Sequence, residues 1–147
     1  MYISTDLSYS PQLNDFLQRI EKSGVRENIQ LIKKYVSSYE IEPIFKAADL
    51  VVLPYTQVSQ SGVLNLAYAF KKPVVVTDVF SDNARINNQF GKVAIREDVA
   101  SLKDCIVEML KDPQKMEKYG QAAYEHAVGD NGWDKMADTM DKIIKGL

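Results

Sequence analysis

Two short runs, Leu50-Val-Val-Leu53 and Val74-Val-Val-Thr77, constrain this chain more than any other feature. Both are continuously apolar and rich in β-branched residues, the pattern of central parallel strands covered on both faces. Parallel neighbours need a crossover, and the segment Gly62 to Phe70 between them is a helix candidate with an apolar interior. The same alternation continues on either side. Tyr2-Ile-Ser4 and Ile29-Gln-Leu-Ile32 read as strands, and Lys92-Val-Ala-Ile95 as the last one. Ser10-Pro11 caps a helix carrying Leu13, Phe16, Leu17 and Ile20, which Gly24 closes. Ser37-Ser-Tyr-Glu40 is a capping box opening a helix with Ile41, Ile44, Phe45 and Ala48 on its apolar face. Ser101 and Asp112-Pro113 mark two further helix starts. A terminal amphipathic helix carries Trp133, Met136, Ala137, Met140, Ile143 and Ile144. The expected architecture is α/β: one domain over residues 1–147, an open parallel sheet with helices on both faces and a helical C-terminal tail.

With 147 residues, 46% hydrophobic and 26% charged, the chain can hold its own core without staples. Its 18 basic and 20 acidic residues are interspersed and give a net charge of −2, which argues against a nucleic-acid footprint. Any anion site is therefore local. No apolar run reaches the ~20 residues of a spanning helix. Met1-Tyr-Ile-Ser-Thr-Asp6 lacks the regions of a signal peptide, which reads as a cytoplasmic chain. The single thiol, Cys105, lies among Leu102, Ile106 and Met109 and reads as a small core residue. His126 has no metal partners in the pattern and reads as a packing residue. Lys33-Lys34 and Lys71-Lys72 read as solvated pairs beside turns, Lys34 being the best placed of the four to approach phosphate.

Open α/β sheets bind ligands outside the carboxyl ends of their strands. There the chain places Pro54-Tyr-Thr-Gln-Val-Ser-Gln-Ser-Gly62, a polar loop running straight into a helix. A helix N-terminus offers unpaired N–H groups and the positive end of the dipole, and Gln60, Ser61 and Gly62 could admit a phosphate. The plainer alternative is a capped loop, with Ser59 or Ser61 as N-cap and Gly62 chosen for packing. The residues alone leave the two readings even.

Asp49-Leu-Val-Val-Leu-Pro-Tyr55, Ser59-Gln-Ser-Gly-Val63 and Leu66-Ala-Tyr-Ala-Phe-Lys-Lys-Pro-Val-Val-Val-Thr-Asp78 together resemble the donor-binding half of GT-B fold glycosyltransferases of the group 1 (family 4) type. Tyr35-Val-Ser37 with the following helix, and Trp133-Asp-Lys-Met-Ala137, extend the resemblance over most of the chain. It implies a Rossmann-like domain that holds the diphosphate of a UDP- or GDP-sugar, without a metal, opposite an acceptor-binding domain. Ser59, Gln60, Ser61, Gly62 and Val63 fall on the diphosphate or donor sugar. Lys34, Tyr35 and Val36 fall on the base side, Tyr55 lines the pocket, and Asn65 is a candidate substitute for a ribose ligand. The implied activity is hexosyl transfer, with retention, to a glycan or lipid-linked acceptor in surface polysaccharide biosynthesis.

The departures are specific. The two family glutamates around the loop fall on Val58 and Leu66, and the family's glycine pair after Thr77-Asp-Val79 falls on Phe80-Ser81. Asp82-Asn83-Ala84 stands where a carboxylate often closes the segment. The chain opens at what resembles the domain's second strand, so the resemblance implies a preceding strand and helix with a basic residue, and the acceptor-binding domain, outside it. The chain alone is then expected to be inactive. The alternative is a non-catalytic binding or assembly module, or one chain of a split enzyme. The resemblance leaves room for peripheral membrane association of the full enzyme and for self-association through an exposed terminal helix. Packing of that helix on the sheet is the default expectation. A phosphoacceptor domain would need an acidic cluster at the strand ends, which Asp49 and Asp78 do not make.

Overall fold

The computed structural model describes residues 2–4, 12–32, 34, 36–58, 60–80, 83–129 and 132–145. They form two compact units, Met1–Ile44 and Phe45–Leu147. In the first, strands β1 (Tyr2–Ser4) and β2 (Gln30–Ile32) pair in parallel, with Ile3 opposite Leu31. Helix α1 (Gln12–Lys22) lies between them in sequence, with Ile20 buried, and the chain turns through the left-handed region at Gly24. The residues Ser10-Pro11 lie outside the described residues.

Helix α2 (Ser38–Ala47) starts at the anticipated box, but with one arm rearranged. Glu40 reaches back to accept the Ser37 N–H at 3.1 Å, whereas the Ser37 hydroxyl donates to the same carboxylate at 2.8 Å instead of accepting from the helix.

The second unit is built on the parallel sheet β3-β4-β5: β3 (Val51–Leu53), β4 (Val74–Thr77) and β5 (Gly91–Ala94). Central β4 is buried along its whole length. Val74 and Val76 pack with Ala67 and Tyr68 of helix α3 (Gly62–Ala69) and with Ala123 of helix α6 (Pro113–Val128). Val75 points the other way and is equally buried, with helix α5 (Val99–Leu110) lying along β4 and β5. This explains the unbroken apolar run of β4.

The structure departs from the sequence reading most at the end of β5, the start of helix α5 and the segment between β4 and β5. Strand β5 ends at Ala94 because the Ile95 N–H leaves the ladder for the Ser101 hydroxyl at 2.9 Å. That hydroxyl is therefore not a cap. Helix α5 begins earlier, capped by Asp98, whose carboxylate accepts the Ser101 N–H at 3.0 Å. Between β4 and β5 the sequence reading placed no element, yet a helical turn, α4 (Asn83–Arg85), runs into a π-helical stretch Ile86–Phe90. It buries Ile86 and Phe90. Asp112 caps α6 as expected, accepting the Lys115 N–H at 3.0 Å. In helix α7 (Trp133–Lys145) the described apolar residues Met140, Ile143 and Ile144 are 58%, 72% and 78% exposed, so the end of the helix does not pack as the default expectation has it; the Trp133 and Met136 side chains lie outside the described ones.

Candidate anion site at the start of helix α3

Strand β3 ends at the buried Leu53, and Pro54 and Tyr55 carry the chain out at its carboxyl end. Helix α3 then begins with Ser61 as N-cap, in extended conformation, its hydroxyl accepting the Leu64 N–H at 3.2 Å. Ser61 is the cap; Ser59, the other candidate, lies outside the described residues. Capping leaves the next two donors open: among the described residues the N–H groups of Gly62 and Val63 have no acceptor. They sit at the positive end of the helix, with Gln60, Gly62 and Asn65 exposed and Val63 40% exposed.

The packing explanation for Gly62 fails. A Cβ built there meets nothing within 4 Å, and the backbone is not left-handed, so neither space nor conformation requires glycine. A glycine here leaves the first position of the helix without a side chain beside the two open amides. The helix is also less buried than its composition suggests: Ala67 and Tyr68 are in the core, but the first turn faces solvent.

Tyr55 is half-buried, its ring stacked on Phe80 at 5.8 Å and 23°. Phe80, standing where a glycine pair was anticipated, is thus a core residue. Val58 packs against the same core and Leu66 is half-buried, so the two positions lacking carboxylates serve packing here.

Of the base-side candidates, Lys34 and Val36 belong to the first unit, and Tyr35 lies outside the described residues. Lys34 pairs with Glu40. This ion pair, with the Ser37 hydroxyl and N–H, holds the Glu40 carboxyl down at about 2 from an ordinary 4.5. A depressed carboxyl pKa contributes stability that is fully present above the unfolded value and is lost as pH falls through the folded one. Carboxyl-carbon NMR of the native chain is therefore expected to place the Glu40 midpoint near 2, with Lys34→Met moving it up towards the ordinary value.

The remaining candidates are structural. His126 stacks on Phe90 at 5.0 Å, with Arg85 Nη1 3.2 Å from its Nδ1. Cys105 is half-buried, its Sγ 3.7 Å from the Val93 carbonyl, and burial pushes the thiol up, away from reactivity. Lys71 lies over the Tyr124 ring at 4.7 Å, and Lys72 donates to the Lys46 carbonyl at 3.4 Å. Among the described residues no group of three metal-ligating side chains occurs, and no helix is long and apolar enough to cross a membrane. Among the contacts not legible in sequence are Lys34 with Glu40 and the Thr77 hydroxyl donating to the Tyr55 carbonyl.

Comparison with known proteins gives a consistent picture. The profile of glycosyl transferases group 1 matches residues 8–112. No curated protein matches the sequence. Among solved structures, sucrose-phosphate synthase from Thermosynechococcus elongatus superposes with a TM-score of 0.81 at 17% identity, over 99% of this chain and 37% of that one. Anabaena HepE in complex with UDP-glucose gives 0.80 at 16% identity, over 99% of this chain and 40% of that one. The C-terminal domain of a group 1 family glycosyl transferase from Francisella tularensis gives 0.74 at 17% identity, covering 87% and 74%. The chain thus spans about two fifths of the first two structures.

Proposed function

Because the chain belongs to the glycosyl transferases group 1 family, we propose that it is the donor-binding part of a glycosyltransferase that takes a sugar from a nucleotide-diphosphate sugar. The observation that carries this reading is the pair of amides at Gly62 and Val63 that have no acceptor among the described residues, on the carboxyl side of β3, at a position that carries no side chain of its own. In glycosyl transfer, negative charge develops on the departing diphosphate, and fixed donors aimed at that charge stabilise it without reorganising. The α3 N-terminus supplies such donors from backbone alone, which suits metal-independent chemistry. Each charge-to-dipole interaction contributes roughly 0.3–2 kcal/mol, so this helix end is one part of a donor site rather than all of it.

In this proposal Ser59, Gln60, Ser61, Gly62 and Val63 surround the diphosphate, Tyr55 is a wall, and Asn65 faces the ribose. HepE was solved with UDP and with UDP-glucose, which favours UDP over GDP as the donor nucleotide. Acceptor binding falls to a domain outside this chain, and hexosyl transfer to a glycan or lipid-linked acceptor in cytoplasmic polysaccharide assembly is the reading that fits the family. Val58, packed against the core, and the half-buried Leu66, where carboxylates were expected, favour a second reading, a non-catalytic binding or assembly module of the same fold.

Calorimetric titration tests the donor reading. UDP and UDP-glucose are expected to bind saturably, UMP more weakly, and EDTA to change nothing. A folded chain that takes up no nucleotide at millimolar concentration would contradict the donor reading and leave the assembly module.

A further inference from the structure

We propose that the carboxyl end of β4, through Thr77 and Phe80, is the positioning element of the donor loop, fixing Tyr55 and hence the open amides of α3; the inference rests on the donor-site reading above. Thr77 is 3% exposed, a buried polar side chain in a strand whose other residues are all valine. A fourth valine would have nearly the same shape and no hydroxyl to desolvate, so the hydroxyl calls for an explanation in its contact. That contact is the carbonyl of Tyr55, which lies two residues beyond the end of β3 and finds no backbone donor among the described residues. A buried hydroxyl–carbonyl bond adds little net stability, but leaving the carbonyl unpaired is costly, so the bond acts mainly on geometry.

The second hold on the same residue is the Tyr55 ring, stacked on the buried Phe80. The hydrogen bond holds the main chain of Tyr55 and the stacked ring its side chain. The loop therefore leaves the sheet from a determined point and ends, after Val58 has packed on the core, at the Ser61 cap. Neither Thr77 nor Phe80 needs to touch the ligand.

The test uses the whole chain with Thr77→Val, Thr77→Ser and Phe80→Leu, each checked for folding by amide dispersion. Hydrogen exchange at residues 56–63 without ligand reads the loop directly, and UDP titration reads the site. Loss of the hydroxyl is expected to speed exchange of the loop amides and to raise the UDP dissociation constant, each about tenfold, with Thr77→Ser near wild type. Phe80→Leu is expected to act in the same direction, and it alone decides the matter should Thr77→Val not fold. Folded variants with unchanged loop exchange and unchanged UDP affinity would overturn the proposal. A wild-type chain that does not bind UDP would overturn the donor reading instead, and loop exchange would then decide positioning by itself.

Discussion

Gly91→Ala is expected to break the sheet of the second unit. Gly91 opens β5 directly opposite Val74, and a Cβ added there would lie 1.7 Å from the Val74 carbonyl oxygen, 2.7 Å from its carbon and 2.9 Å from its nitrogen. These are backbone atoms of the fully buried central strand, with no flexible side chain to swing aside. Overpacking a core by a methyl ordinarily costs ~1–3 kcal/mol; here two strands must separate, so about 4 kcal/mol or more is expected. Against a typical total of ~5–15 kcal/mol, that is a large share. Urea denaturation followed by circular dichroism should show a midpoint far below wild type, or no cooperative transition. A wild-type midpoint would mean that β5 does not sit against β4 in this register.

The opposite behaviour is expected at Gly62. A side chain there meets open space and needs no unusual backbone angle. Gly62→Ala should therefore raise stability, by up to about 1 kcal/mol, because alanine is the better helix former. Gly62→Val should leave stability within about 1 kcal/mol of wild type. Both place carbon in front of the open amides of Gly62 and Val63. Losing a single hydrogen bond to a charged phosphate, ~2 kcal/mol, corresponds to roughly 30-fold in affinity for UDP. Valine should show the full loss and alanine part of it. Stability and affinity moving in opposite directions is the signature of a glycine kept for a ligand. Parallel losses of both would return Gly62 to a packing role.

What could be read in the sequence follows the range of the interactions concerned. The Val74–Thr77 run, the Gly24 stop and the Asp112-Pro113 start depend on neighbours in sequence, and each stands where the pattern puts it, while the Leu50–Leu53 run forms its strand from Val51. The misplaced ends of β5 and α5 share one cause: the Ser101 hydroxyl is drawn to the Ile95 amide, and the capping role passes to Asp98. The π-helical stretch carries no local signal, because Phe90 is held by Tyr68 and His126 from other helices. At the site, the Ser61 cap was one of two local candidates. The empty space before Gly62, and the grip of Thr77 and Phe80 on Tyr55, depend on three dimensions and could not be read from spacing.

The central claim is that the first turn of α3 binds the diphosphate of a nucleotide sugar. Titrating the 15N-labelled chain with UDP while following backbone amides tests it most directly. Saturable shifts largest at Gly62 and Val63, reduced with UMP and moved to roughly 30-fold higher UDP concentration in folded Gly62→Val, are the predicted result. Saturable UDP binding that leaves those two amides unmoved would contradict it.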